Sequence, residues 1–80
     1  MNLSQAIKTY RTGLDLSLQK VADRSGLTKT YVWEIESGKV VNPTAKTLLK
    51  LADTLRVKPT HLMQCAVNSI KEIDAKESAA

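Results

Sequence analysis

The four residues Ser25-Gly26-Leu27-Thr28 constrain this chain more than any other stretch. They end one helical pattern and begin another with almost no chain between, so two helices must meet at a sharp turn. Gly26 has no Cβ and accepts the positive φ that a tight helix-to-helix turn often requires. Thr28 offers a side-chain oxygen to the free amides of the helix that follows. Val32 and Ile35, three residues apart, give that helix a buried face, and Gly38 suits the left-handed position past its end; the pattern predicts a helix over 29–37. Before the turn, Ser17 offers a cap to a helix over 17–24 that sends Val21 and Ala22 inward.

The rest of the chain repeats the helical period. Leu3, Ala6, Ile7 and Tyr10 recur at i, i+3, i+4 and i+7 and predict a helix over 3–12, with Gly13 as its stop. Lys39-Val40-Val41-Asn42 reads as a connecting loop. Pro43 at a first helical position, with Leu48, Leu51, Ala52 and Leu55, predicts a helix over 43–55. Pro59 heads a fifth helix over 59–73, striped by Leu62, Met63, Ala66, Val67, Ile70 and Ile73. Residues 74–80 read as a frayed or disordered tail. No strand-like alternation or internal repeat is present, so the fold class is all-α. With aromatics at only 4% of the chain, the core has to be aliphatic.

Eighty residues suffice for one domain with a modest core, and domains of this size are marginally stable alone, which favours self-association. Residues 1–63 hold ten Lys and Arg against five Asp and Glu, whereas residues 64–80 hold two against three. A basic domain of this kind suits a polyanionic partner, because neutralising phosphates releases counterions. Cys65 is the only cysteine and His61 the only histidine. An intrachain disulfide and a structural zinc site are therefore both excluded, and no metal or cofactor is expected. The start of the chain lacks a signal-peptide pattern and no stretch approaches a membrane span, so a soluble, cytoplasmic protein is expected.

Two short helices joined by a brief glycine-containing turn fit a helix-turn-helix, whose second helix is sized for the DNA major groove. Periodicity alone is shared with other small helical bundles. The residues from Leu16 to Gly38 (LSLQKVADRSGLTKTYVWEIESG) resemble the Cro and phage-repressor family, also called XRE-type. The resemblance continues through Asn42-Pro43-Thr44 and Thr47-Leu48-Leu49-Lys50-Leu51-Ala52 to Leu62. It covers roughly residues 3–63 and implies a five-helix, lambda-repressor-like domain over 1–63, followed by a helical extension and tail over 64–80.

What the resemblance implies for single residues is specific. Lys29, Thr30, Trp33 and Glu34 project into the groove, with Thr28 and Tyr31 near the phosphates. Lys29 is placed to donate to guanine O6 and N7, and Glu34 to accept from cytosine N4, although a carboxylate facing phosphates is repelled without a nearby cation. Each has a plainer alternative, as a solvated lysine and as a helix-surface charge. Trp33 either covers a thymine methyl or packs against the fourth helix or the connecting loop. Ser17, Lys39 and Asn42 are expected to grip the sugar-phosphate strand or only to cap and solvate their loops. A salt bridge between Arg11 and Glu36 is expected to hold the reading helix to the first helix. Leu18 departs from the family, which commonly has glutamine there, and Gln19 is rotated about 100° away and cannot substitute.

The implied function is sequence-specific transcriptional regulation by a repressor, bacterial or phage-encoded, that binds an inverted-repeat operator as a dimer with half-sites about one helical turn apart. Met63, Val67, Ile70 and Ile73 are the candidates for the dimer interface; alternatively the fifth helix folds back and completes the monomer's core. A second function class is an antitoxin or adaptor that uses the fifth helix to bind a protein partner. An enzyme is disfavoured: His61 and Cys65 lie four apart, but no third group orients them.

Overall fold

Most helices here start where a side-chain oxygen replaces a missing backbone partner. In the computed structural model, which describes residues 1–79, the chain forms α1 (Leu3–Gly13), α2 (Leu18–Ser25), α3 (Lys29–Glu36), α4 (Ala45–Leu55) and α5 (Pro59–Ala79), with no strand among the described residues. Asn2 and Gln5 form a capping box at the head of α1, each side chain accepting from the other's amide at 2.9 Å. Ser17, Thr28 and Thr44 cap α2, α3 and α4 by accepting from the amides of Lys20, Tyr31 and Thr47. Each such cap is worth about 1 kcal/mol.

The core is aliphatic, as the scarcity of aromatics requires. Leu3, Ala6 and Ile7 of α1 meet Val21 and Ala22 of α2, Val32 and Ile35 of α3, Leu48, Leu51, Ala52 and Leu55 of α4, and Leu62, Cys65 and Ala66 of α5. α1 packs on α3, α4 and α5, while α2 lies between α3 and α4 and α4 also supports α5. Gly26 (φ 75°) and Gly38 (φ 86°) take left-handed conformations at the ends of α2 and α3, as their positions predict.

Several boundaries differ from the sequence reading. Pro43 is not the first residue of α4: Thr44 takes the cap and the helix starts at Ala45, leaving the proline outside, where its missing N–H costs nothing. Gly13 ends α1 without a left-handed turn, and Asp15 takes that conformation instead (φ 58°). Residues 74–79 continue α5 rather than fray, while the expectation for Ala80 lies outside the described residues. Two features favour the longer helix. Ile73 and Lys76, a turn apart, line a cleft with Ile35, Val40 and Val41, and the Glu72 carboxylate accepts from Asn2 Nδ2 at 3.1 Å.

Candidate nucleic-acid interface

α3 is held from behind by three kinds of contact. Val32 and Ile35 are fully buried. The hydroxyl of Ser4 donates to the carbonyl of Glu36. Arg11, in the last turn of α1, donates from Nε to Glu36 Oε2 at 2.9 Å and from Nη2 to Oε1 at 2.7 Å, and its Nη1 reaches the carbonyl of Leu16 at 2.8 Å. The two charged side chains are only 16% and 12% exposed. The hydrogen bond from Arg11 to Glu36 holds the guanidinium pKa above its ordinary value, against the opposing effect of burial. One arginine thus ties the end of α3 to α1 and to the segment that leads into α2.

With its back fixed, α3 turns a defined row outward. Lys29 and Thr30 are exposed and Trp33 is 43% exposed. Together with Leu18 at the start of α2, these three line a notch of about 330 Å³. Lys39, from the loop after α3, sets its Nζ 4.6 Å from the Trp33 ring centroid, so the indole lies against the connecting loop while its remaining surface faces solvent. Such a cation over an indole face contributes about 0.5–1 kcal/mol when exposed.

The other candidate residues are placed less uniformly. Thr28 is exposed, with its hydroxyl engaged as the α3 cap. Tyr31 is half-buried against the core. Glu34 is half-buried and forms no ion pair among the described residues; its carbonyl accepts from the amides of Lys39 and Val40 at 2.9 and 3.1 Å, which fixes the loop. Ser17 and Asn42 are exposed, Ser17 at the head of α2 and Asn42 in the loop before α4.

On α5 the apolar stripe splits into two. Leu62 and Ala66 are buried, joined by Cys65 and Ser69, whereas Met63, Val67, Ile70 and Ile73 are 37–47% exposed. The helix therefore does complete the core and still keeps an apolar outer face. Three polar contacts missed by the sequence reading bind it to the head of α1. Ser69 Oγ accepts from the Leu3 amide at 2.9 Å, Asn68 Nδ2 donates to the Met1 carbonyl at 3.0 Å, and Glu72 Oε2 accepts from Asn2 Nδ2 at 3.1 Å. Ser69 follows Cys65 by four residues and Leu62 by seven, so helical spacing alone places it on the buried seam.

His61 and Cys65 have structural surroundings. Tyr10 Oη lies 2.7 Å from His61 Nε2, with the two rings edge to face, and Cys65 Sγ lies 3.9 Å from the same nitrogen. The thiol is buried and desolvation pushes its pKa up, the opposite of what a nucleophile requires.

The helix-turn-helix family pattern matches residues 7–62. Over 75 residues, 94% of this chain and 49% of the relative, the sequence is 31% identical to the HTH-type transcriptional regulator SlrR of Bacillus subtilis (strain 168). The chain thus spans about half the length of that curated relative. The fold is similar to the N-terminal DNA binding domain of SinR from Bacillus subtilis, with a TM-score of 0.72 and 33% identity over 76% of this chain and 88% of that one. The α2–turn–α3 geometry and a pattern match over more than half the residues agree: this chain belongs to the helix-turn-helix family.

Proposed function

We propose that the protein is a sequence-specific DNA-binding transcriptional regulator that lays α3 in the major groove. One observation carries this reading: α3 is locked from behind by Val32, Ile35 and the Arg11–Glu36 pair while Lys29, Thr30 and the open part of Trp33 lie on its outer face. A reading helix needs that arrangement, since base contacts discriminate only if the backbone presenting them is fixed. The basic balance of residues 1–63 supplies the attraction to phosphate. The SlrR and SinR likenesses support the same reading, as does their description as a transcriptional regulator and a DNA binding domain.

In this reading the protein is a repressor that works in a bacterial or phage-infected cytoplasm; no described helix is long and apolar enough to cross a membrane. It binds an inverted repeat as a homodimer, with Met63, Val67, Ile70 and Ile73 meeting their counterparts. Ser17, Thr28, Tyr31, Lys39 and Asn42 position it on the backbone, while Lys29, Thr30, Trp33 and Glu34 face base edges. Selection of binding sites from random duplex DNA tests this. A palindromic consensus with half-sites about one helical turn apart is expected; no enriched sequence would overturn it. The outer apolar face of α5 favours a second reading, an antitoxin or adaptor that seats a partner protein there.

A further inference from the structure

We infer that the notch between α2 and α3 is a reader of the thymine 5-methyl group, with Leu18 and Trp33 as its walls. The inference rests on the proposed placement of α3 in the major groove. Leu18, Lys29, Thr30 and Trp33 line about 330 Å³ of open space on the outward side of α3. Two walls are apolar. Leu18 is half-buried with its inner side packed on the core, and Trp33 keeps 43% of its surface open.

The indole wall has a partner of its own. Lys39 Nζ covers one part of the ring at 4.6 Å, and the Lys39 amide donates to the Glu34 carbonyl at 2.9 Å, which holds the lysine beside the helix. The notch is thus apolar on two sides and flanked by two cations suited to phosphate. Among the groups that the four bases present in the major groove, the thymine C5-methyl is the one apolar group that projects from the base edge, since cytosine has only a hydrogen at C5. A purine edge placed between Leu18 and Trp33 would lose water from its donors or acceptors, with Thr30 and Lys29 alone to replace it, and a cytosine would leave the space of the methyl unfilled. The occupant is therefore one thymine per half-site, its methyl between Leu18 and Trp33. Lys29 remains free to donate to the adjoining base or phosphate.

Uracil lacks the methyl and otherwise pairs as thymine does, so it isolates this contact. The test takes the duplex enriched by selection and replaces each thymine in turn by deoxyuridine, with affinity measured by fluorescence anisotropy at fixed salt. Loss of one buried methyl corresponds to about fourfold weaker binding. That loss is expected at one position per half-site. Leu18→Ala and Trp33→Ala should each bind the thymine and uracil duplexes alike at that position; Trp33, being half-exposed, serves where Leu18→Ala lowers stability. Specific binding with every thymine replaceable by uracil would overturn the methyl reader and leave DNA reading intact. A uracil effect undiminished in both variants would likewise overturn it. Failure to enrich any duplex would overturn the DNA-binding reading itself.

Discussion

α3 and α5 are each anchored by a buried seam, yet they offer solvent opposite surfaces. α3 sends Val32 and Ile35 inward and keeps Lys29 and Thr30 outside; α5 sends Leu62, Cys65 and Ala66 inward and still leaves Met63, Val67, Ile70 and Ile73 partly exposed. Their tethers differ too. α3 is tied to α1 by a bidentate ion pair, and α5 by neutral and singly charged hydrogen bonds around Leu3, Met1 and Asn2. The outward surfaces therefore suit different partners, a hydrated polyanion for α3 and another apolar surface for α5.

If both helices belong to one cooperative core, truncating either seam should cost the same. Ile35→Ala and Leu62→Ala, at sites 1% and 0% exposed, should each lower unfolding free energy by about 2–5 kcal/mol in urea titrations. A much smaller loss for Leu62→Ala, with α3 unaffected, would show α5 to be an appendage and break the comparison.

The tethers come next in size. Arg11→Ala removes the partner of the Glu36 carboxylate, which is 12% exposed in the intact pair, a loss of about 3 kcal/mol. Ser69→Ala orphans the buried Leu3 amide and should cost about 1–3 kcal/mol. Hydrogen exchange would separate them: Arg11→Ala should loosen α3 first, and Ser69→Ala the head of α1.

The sequence made the α3 side legible because its devices are local. Thr28, Gly26 and Gly38 act on their own backbone, and Val32 and Ile35 follow a period; the Arg11–Glu36 pair came from the family resemblance. The α5 side was legible only in outline. An apolar stripe wider than one seam does not say which residues turn inward, and the bonds from Ser69, Asn68 and Glu72 join residues 66 to 70 positions apart. The extension of α5 past Ile73 was missed for the same reason: its support is the distant cleft lined by Ile35, Val40 and Val41. At the site, Lys29 and Thr30 were legible as exposed positions. That Leu18 and Trp33 share a notch, and that Lys39 covers the indole, depends on how α2, α3 and the following loop come together.

Cys65 allows a test of the α5 seam by pH. Burial raises its thiol pKa above the ordinary 9.0, so the folded state keeps a proton that the unfolded chain releases. Stability from this group is complete below pH 9.0 and falls as pH rises from there toward the raised folded value. Cys65→Ala should lose part of the alkaline decline seen in the parent protein, measured as the difference between their urea midpoints across that range. Identical declines would mean that the thiol is not desolvated in the fold.

The smallest effects per residue on stability should come from the two outer faces, and there the comparison is sharpest. Lys29→Ala touches an exposed position and should shift monomer stability by no more than about 0.5 kcal/mol, while each step of the triple change Met63→Ser, Val67→Ser, Ile70→Ser, at positions 38–47% exposed, should cost about 1 kcal/mol. Their consequences should separate by partner. Lys29→Ala should relax base preference at one position per half-site by about 1–3 kcal/mol and leave self-association unchanged. The α5 triple change should abolish dimerisation in sedimentation equilibrium while a single half-site is still read with the same preference. If the triple change altered base preference, or Lys29→Ala altered association, the two faces would not be independent; a monomeric parent protein at high micromolar concentration would remove the second copy as the partner of α5.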